Sequence, residues 1–423
     1  MNAAPGPQPQ SEPGPLPQTG PGPLPRSGTG RATARPPLLT PTFGVLVGGH
    51  LMQAIGYSSM PLLPLYLDHL GADRARVGEL MALASIGGLL LRPLAGWALD
   101  AVGRRPTLII GTLCLALGLA LMGGVDRIGP LIIASRLLVG IGAGTLFTAY
   151  FTLAADVIPP SRRTEGIALF GVSGLLPLWV NPAIDAFEPA PANLRWAVAG
   201  LGGVVLLSLF FVLRVVEAPR VRVPGLPSPR AALRMLSARN LLPVWLATVV
   251  FSALVAGFNA FVGVTAAAHG IAQPSLVWVT YAGAAVTVRL LGPGLPARVG
   301  PRNLIAPAMG AYVVACLLVA SAATRADLLW AGAAAGLAHG YCFPVLTSQT
   351  VTRAPAERRG AAMAGFTSLW EAAVLVFTPL FGRLADATDD AVLFSALAVS
   401  GVAGLVVWVV AEHRLGAGAD QNA

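Results

Sequence analysis

The sequence predicts an all-α membrane protein with twelve transmembrane helices in two pseudo-symmetric six-helix bundles. Three observations predict this class. Of the 423 residues, 55% are apolar and 11% are charged, whereas soluble domains carry roughly 25% charged residues. The apolar residues fall into runs of about 20, the length that crosses a bilayer as a helix. The two halves of the chain also repeat the spacing of several arginines, glycines and prolines.

Residues 1–41 form a Pro/Gly-rich tail that we expect to be disordered and cytoplasmic. Its Pro, Gly, Gln and Ser residues bury too little apolar surface to offset the entropy lost on ordering. The tail lacks the basic segment followed by an apolar segment that is typical of a signal peptide. The first apolar run is therefore expected to remain as a helix.

Twelve apolar runs follow the tail, and many of the gaps between them are short enough to require antiparallel neighbours. Glycines and prolines within such runs are tolerated in membrane bundles. In chain order the runs are Phe43–Tyr66, Val77–Ala98, Pro106–Gly124, Pro130–Val157, Gly166–Phe187, Leu194–Val215, Leu241–Ala266, Ser275–Leu295, Leu304–Ala323, Leu328–Thr350, Gly360–Leu384 and Val392–Ala411.

The longest gap inside the helical region, residues 216–240, is predicted to be a cytoplasmic central loop. It separates an N-terminal bundle, 42–215, from a C-terminal bundle, 241–411, which a cytoplasmic tail, 412–423, follows. Three equivalent pairs lie 197 positions apart: Arg92 and Arg289, Gly103 and Gly300, and Pro182 and Pro379. Such spacing indicates a duplicated six-helix unit, and parallel repeats of this kind build one large class of transporters.

The arginines predict the orientation. With the N-terminus in the cytoplasm, 19 arginines fall on the inner side and 6 on the outer side, and the chain has no lysine. Positive residues are enriched in cytoplasmic loops, so both termini are predicted to be cytoplasmic.

Composition also excludes several classes of function. The net charge of +9 does not indicate nucleic-acid binding, because the arginines stand singly or in pairs between apolar runs. No G-x-x-x-x-G-K-[ST] motif is present, so this chain alone does not drive transport with ATP. Three scattered cysteines and five scattered histidines give no disulfide framework, metal site or catalytic set. No cofactor is expected, and an integral-membrane enzyme or sensor is a remote alternative.

A signature occupies the loop between the second and third predicted helices. Residues 96–105 read Gly-Trp-Ala-Leu-Asp-Ala-Val-Gly-Arg-Arg. This string resembles the G-x-x-x-D-x-x-G-R-[RK] signature that the major facilitator superfamily carries in the same loop, with Ala101 in place of the family's usual arginine. The matching residues are Gly96, Asp100, Gly103, Arg104 and Arg105.

The spacing of the signature has a physical interpretation. Asp100 stands at a helix C-terminal end, where a carboxylate is unfavourable unless it is paired, and Arg104 lies four residues on. Gly96 is expected to let another helix approach closely, and Gly103 to permit a tight turn. The resemblance implies that this loop, together with Asp156 at the inner end of helix four, locks the two halves on the cytoplasmic side. A loop that only sets topology is the alternative.

Helix four resembles the family a second time, with Arg136 followed by a glycine-rich stretch that includes Gly140 and Gly144. An arginine within the bilayer is expensive, so we expect it to face the bundle interior or a water-filled cavity; snorkelling to the outer interface is the alternative. Helix five departs from the family's antiporter pattern G-x-x-x-G-P-x-x-G, because only Pro182 matches it within 177–185. The second half has Ala297 at the place of the signature aspartate.

The resemblance covers residues 43–411 and implies a central cavity lined by helices one, four, seven and ten. Glu371, near the middle of helix eleven, is the predicted proton-coupling or substrate residue. A carboxyl group there either holds a proton or pairs with an arginine, and the approach of Arg136, Arg289 or a cationic substrate would favour its charged form. A buried structural acid is the alternative. His339 in helix ten is a second candidate, because histidine titrates near neutral pH.

Further cavity candidates are polar residues within the apolar runs. His50, Gln53 and Tyr57 recur at helical spacing in helix one, and Asn259 lies in helix seven. Arg289 is included, although its symmetry with Arg92 favours a structural role at the interface of the halves. Weaker candidates are Tyr281, Gln349, Trp179 and Trp370, and the two tryptophans are core residues in the alternative interpretation.

Taken together, the sequence predicts secondary active transport of a small solute by alternating access in the plasma (inner) membrane. Proton-coupled efflux of a drug or a metabolite by a monomer is the expected form. A proton symporter that takes up a sugar, an organic acid or a siderophore-like solute is the alternative within transport.

Overall fold

The computed structural model describes residues 36–159, 162–187, 189–216, 237–292, 295–354 and 359–415, with side chains at 100, 155, 163–165, 296–297, 301 and 359–360 outside the description. The chain divides into two compact units, Met1–Pro37 and Leu38–Ala423, and all the described helices belong to the second unit. The predicted tail 1–41 lies outside the described residues apart from 36–41. Of the predicted central loop, 217–236 lie outside them, as do 416–423 of the predicted C-terminal tail.

The described part of the second unit is helical and contains no strand. Its helices are α1 (Pro41–Tyr57), α2 (Leu63–His69), α3 (Arg74–Ala101), α4 (Arg104–Leu121), α5 (Pro130–Val157), α6 (Arg163–Val172), α7 (Val180–Asp185), α8 (Leu194–Val212), α9 (Leu242–Ala268), α10 (Val277–Leu291), α11 (Leu295–Val299), α12 (Pro301–Ala320), α13 (Arg325–Arg353), α14 (Arg359–Ala387) and α15 (Asp390–Leu415).

Eleven segments among the described residues are long and apolar enough to cross a membrane. The twelfth crossing is α1 with α2, which the short 3-10 helix Met60–Leu62 joins. The predicted fold of twelve crossings is therefore confirmed. The last helix extends to Leu415, beyond its predicted end at Ala411.

Three predicted runs are not single helices in the structure. The first breaks between α1 and α2 just before Pro61, and the fifth breaks between α6 and α7 around Pro177. Proline lacks the N–H that continues a helix, and its ring clashes with the preceding turn. In the eighth run, α10 ends at Gly292. By contrast, Pro93 and Pro379 lie inside continuous helices, so a proline in a run does not by itself predict a break.

Glycines at equivalent positions show the internal repeat in the backbone. Gly103 and Gly300, which precede α4 and α12, both have positive φ, 122° and 88°, a conformation that glycine adopts without steric cost. Gly140 and Gly336 both sit at close helix crossings. A Cβ at Gly140 would overlap the carbonyl oxygen of Ala84 in α3, and one at Gly336 would overlap that of Tyr281 in α10.

Helix packing separates the N-terminal half, α1–α8, from the C-terminal half, α9–α15. In the first half α5 packs on α3 and α4, and α8 packs on α1 and α4; in the second, α13 packs on α10 and α12, and α15 packs on α9 and α12. Two seams join the halves, and α9 of the second half also contacts α2 and α3 of the first. In the first seam α3 packs against α14, and in the second α10 packs against the segment from α6 to α7.

Candidate functional site

An ion pair crosses the first seam near the middle of its helices. The Nη2 of Arg92 in α3 lies 3.0 Å from the Oε1 of Glu371 in α14. The Arg92 side chain is 6% exposed and that of Glu371 is 22% exposed, so the carboxylate has partial access to the space between the halves. Sequence analysis named Arg136, Arg289 or a cationic substrate as groups that could approach Glu371. In the structure its ion-pair partner is Arg92, because α3 rather than α5 or α10 crosses α14.

Arg136 is also buried, with 3% of its surface exposed. Its Nε and Nη2 donate to the carbonyl oxygens of Leu80 at 3.1 Å and Met81 at 3.0 Å, and its Nη1 contacts the sulfur of Met60. No carboxylate among the described residues pairs with it. Its charge is therefore solvated by the main chain of α3, within the bundle.

Tyr57 lies at the end of α1 and is 46% exposed, although it is close enough to Glu371, Arg92 and Arg136 to interact with them electrostatically. Tyr57 therefore brings the predicted polar stripe of α1 to the same place as the Arg92–Glu371 pair.

The other polar residues of α1 point elsewhere. His50 is buried, and its Nδ1 lies 2.7 Å from the Oγ of Ser173 after α6; its ring contacts those of Tyr150 and Phe170. Gln53 is buried as well. His50 thus joins helices of the N-terminal half.

His339 of α13 belongs to an aromatic group. Its Nδ1 lies 2.6 Å from the hydroxyl of Tyr281 in α10, and its ring stacks on Phe343 at 5.8 Å. Trp370 of α14 contacts the rings of both His339 and Phe343. Phe343 also faces two phenylalanines of α5 in the other half, Phe147 at 6.3 Å and Phe151 at 6.4 Å.

We define the aromatic cluster as Phe147, Phe151, Phe343 and Trp370. All four side chains are half-buried, so each keeps a surface on which another molecule can pack. Sequence reasoning considered Trp370 but missed the three phenylalanines, because phenylalanine in an apolar run carries no signal that separates cavity from core.

Three further candidates lie apart from this cluster. The Oδ1 of Asn259 in α9 is buried without a hydrogen-bond partner. Gln349 accepts from the Nε of Arg353, which assigns it to the end of α13. The Nε1 of Trp179 donates to the carbonyl oxygen of Val279 at 3.1 Å, so this tryptophan joins the halves at the second seam.

The loop signature lies at one end of the bundle, which we call the Arg104 end. The Nε of Arg104 lies 3.2 Å from the Oδ2 of Asp156, and its Nη1 donates to the carbonyl oxygen of Leu99 at 3.0 Å. Arg105 follows in the first turn of α4, and the side chain of Asp100 lies outside the description. The Arg104–Asp156 pair joins α4 to α5 within one half.

Gly96 of the loop signature and Gly144 of the helix-four motif differ in how closely other residues approach them. The expected close approach of another helix at Gly96 is not seen among the described residues, because a Cβ there would meet none of them within 4 Å. Gly144 does lie at a crossing, where a Cβ would be 3.0 Å from the Cα of Gly88.

A cluster that sequence reasoning missed lies at the same Arg104 end in the C-terminal half. The Oε1 of Glu412 in α15 lies 2.5 Å from both Arg302 of α12 and Arg353 of α13. Glu412 was placed in a predicted tail, and only the extension of α15 to Leu415 brings it against the two arginines.

The opposite end, which we call the Arg74 end, is closed by contacts between the halves. Both carboxylate oxygens of Asp386 at the end of α14 accept from main-chain N–H groups of α3, from Arg74 at 2.8 Å and from Ala75 at 2.6 Å. The guanidinium of Arg74 pairs with Asp390 at 3.0 Å, and Arg383 pairs with Glu79 at 3.2 Å.

The second seam contributes one more closing contact at this end. Asp185 of α7 accepts from the N–H of Ser275 at 3.2 Å, just before α10.

Comparison with known proteins gives a consistent result. The family model of the Major Facilitator Superfamily matches residues 45–374. A segment of 173 residues is 30% identical to an uncharacterized MFS-type transporter of Mycobacterium tuberculosis (strain ATCC 25618 / H37Rv), covering 38% of this chain and 24% of that protein. Another segment of 171 residues is 32% identical to the tetracycline resistance protein, class E, of Escherichia coli, and covers 38% of this chain and 41% of that protein. The chain thus spans less than half the length of these curated relatives.

The fold has a solved counterpart. The crystal structure of the human organic anion transporter MFSD10 (TETRAN) matches with a TM-score of 0.69 and 18% identity, over 88% of this chain and 100% of that one. At this identity the likeness concerns the fold.

Proposed function

Because the chain belongs to the Major Facilitator Superfamily, we propose that it is a secondary active transporter that exports a small solute, a drug or a metabolite, in exchange for protons. It is a multi-pass membrane protein and not an enzyme. The observation that carries the proton coupling is the Arg92–Glu371 ion pair, the carboxylate that joins the two halves near the middle of the first seam.

The pair supplies a mechanism for coupling. A proton on Glu371 removes the attraction to Arg92, so the proton and the guanidinium compete for one carboxylate. The pair lies in the seam between halves that must move relative to each other in alternating access. Partial exposure of Glu371, 22%, leaves a route for the proton.

The direction of transport rests on two supports. The tetracycline resistance relative favours export of a toxic solute. The excess of arginines supports a cytoplasmic position for the Arg104 end in a bacterial inner membrane. In that orientation a chain closed at the Arg74 end would face inward and could load a solute from the cell. A reporter that is active only outside the cytoplasm, fused near Asp126, should be active if this orientation is right.

The test is Glu371→Gln, which keeps the shape of the side chain and removes its charge. The solute is first identified by comparing external metabolites of deletion and overexpression strains, and is then followed in inverted vesicles. We expect wild-type protein to accumulate it on an imposed proton gradient, and Glu371→Gln to lose accumulation while it still exchanges the solute passively.

The matched control is Asp126→Asn, an acid-to-amide change at an exposed site between α4 and α5, which should accumulate the solute like wild type. Wild-type accumulation by Glu371→Gln would show that this residue does not couple transport to protons, and His339 would be tested next.

A further inference from the structure

Arg289 of α10 carries a charge without a counter-charge in the part of the chain that the structure describes. Its Nε is buried and makes no hydrogen bond, and no described carboxylate lies within ion-pair distance of its guanidinium. Removing an unpaired charge from water is costly. A half-buried guanidinium of this kind is a binding group for an anion.

The internal repeat shows what is different about this arginine. Arg92, its equivalent 197 positions earlier, pairs with Glu371 across the first seam. The position equivalent to Glu371 in the other half is Gly174. A Cβ on nearby Gly171 would overlap the Nη1 of Arg289, so the guanidinium lies against a glycine of α6. Where the first seam holds an arginine and a glutamate, the second holds an arginine and glycines.

The charges between the two ends of the bundle leave a positive excess. Arg92 and Glu371 offset each other, whereas Arg136 and Arg289 have no described carboxylate partner. The main chain of α3 already solvates Arg136. A positive interior attracts anions and disfavours cations, and Arg289 is the group that remains to receive one.

The aromatic cluster lies beside Arg289. The guanidinium lies against Gly171, and the ring of the preceding residue, Phe170, contacts Phe151 of the cluster at 5.3 Å. His339 contacts both Phe343 and Trp370. Phe343 in turn contacts Phe147 and Phe151 of the other half. Half-buried aromatic rings bind flat apolar groups.

Building on the transport function proposed above, we propose that the solute is an organic anion. Its acid group, a carboxylate, sulfonate or phosphate, binds the guanidinium of Arg289, and its flat apolar body packs against the aromatic cluster. The acid group of the solute thus occupies in the second seam the place that Glu371 occupies in the first.

The test uses three probes with one apolar body: naphthoate, naphthamide and naphthylmethylamine. Their dissociation constants are measured by equilibrium dialysis with the purified full chain in detergent, without a proton gradient. Naphthoate should bind most tightly to the wild type. Gly171→Asp, which places a carboxylate at the guanidinium, should weaken naphthoate by about 30-fold or more and leave naphthamide unchanged.

Gly171→Asn is the matched control, because it adds a side chain of the same size without the charge and should weaken naphthoate far less than Gly171→Asp. Arg289→Gln should weaken naphthoate binding as Gly171→Asp does, whereas Arg289→Lys should retain most of the binding. Gel filtration and thermal unfolding confirm that each variant is folded.

Several outcomes overturn the inference: no binding of naphthoate to wild type, tighter binding of the amine than of the acid, or equal weakening by Gly171→Asp and Gly171→Asn. These outcomes are separable from the failure of proton coupling, which the Glu371→Gln transport assay tests. Proton-driven export of a cation would support proton coupling and contradict the proposal that the solute is an anion. Binding of naphthoate without proton-driven transport would support the anion proposal and contradict proton coupling.

Discussion

Glu412 is a single carboxylate that holds three helices of the C-terminal half together at the Arg104 end. Its Oε1 contacts Arg302 and Arg353, and its Oε2 accepts from the Nη1 of Arg353 at 2.9 Å. Both Glu412 and Arg353 are buried, at 6% and 7% exposure. Two oxygens facing the fork of one arginine form the strong bidentate type of pair.

We expect Glu412→Gln to lower the free energy of unfolding by about 3 kcal/mol, because it leaves the buried guanidinium of Arg353 without this counter-charge and weakens the contact with Arg302. Thermal unfolding in detergent, followed by tryptophan fluorescence, measures the loss. Asp126→Asn, at an exposed site, should stay within about 0.5 kcal/mol of the wild type. A change no larger than that of the control would mean that the cluster contributes little to stability.

Sequence reasoning located the buried charges but not their partners. Arg92, Arg136, Arg289 and Glu371 stand out because a charge in an apolar run is expensive. Pairing is a property of helix crossings, and Arg92 and Glu371 are 279 residues apart. Nothing local distinguishes Arg92 from Arg289 as the partner of Glu371; the choice depends on α3, and not α10, crossing α14.

At the scale of helices, glycines set how closely neighbours approach, and two glycines of the predicted motifs behave in opposite ways. Gly140 of α5 lies against the carbonyl of Ala84, whereas no described residue would lie within 4 Å of a Cβ at Gly96 of α3. A stretch of sequence rich in glycine therefore does not say which glycine is a contact.

We expect Gly140→Ala to destabilise the protein by about 1–3 kcal/mol, the usual cost of overpacking, since the new methyl meets main-chain atoms that cannot rotate away. Gly96→Ala is the matched control and should be neutral or stabilising by up to about 1 kcal/mol, because alanine is the better helix former. Thermal unfolding of the two variants side by side checks this, and similar losses for both would contradict the assigned packing.

The sequence predicted that each helix exists, but it did not predict which helices are interrupted. The twelve crossings follow from apolar length, but Pro61 and Pro177 accompany breaks while Pro93 and Pro379 do not. Neighbouring helices can satisfy the main-chain groups that a proline frees, so the outcome depends on packing that a single run does not contain.

For the whole molecule, the important asymmetry is between its two ends. At the Arg74 end, Asp386 and Arg383 of α14 bind residues of α3 in the other half. At the Arg104 end, the Arg104–Asp156 pair and the Glu412 cluster each join helices of one half. In the transport cycle proposed above, this arrangement would be the state closed at the Arg74 end.

We expect Asp386→Asn to shift the population towards the state open at the Arg74 end by about fivefold. The amide keeps one acceptor oxygen, so one charge-assisted hydrogen bond becomes a neutral one and the other N–H loses its acceptor. Spin labels at positions 76 and 388, both exposed at that end, report the distance between α3 and α14, which should lengthen and broaden.

Asp389→Asn is the matched control. Asp389 accepts from the N–H of Val392 within its own helix cap and does not join the halves, so its variant should keep the wild-type distance distribution. Identical distributions for Asp386→Asn and wild type would remove Asp386 from the closure.

The contact at Asp386 has a consequence for how freely the sequence can change. Its donors are the main-chain N–H groups of residues 74 and 75, which every amino acid except proline provides. In this contact the acceptors depend on the side chain at position 386, whereas the donors depend only on the start of a helix at residues 74 and 75. Residue 75 can therefore be substituted by any amino acid except proline without loss of this contact. At position 386, by contrast, few other side chains can supply two acceptor oxygens.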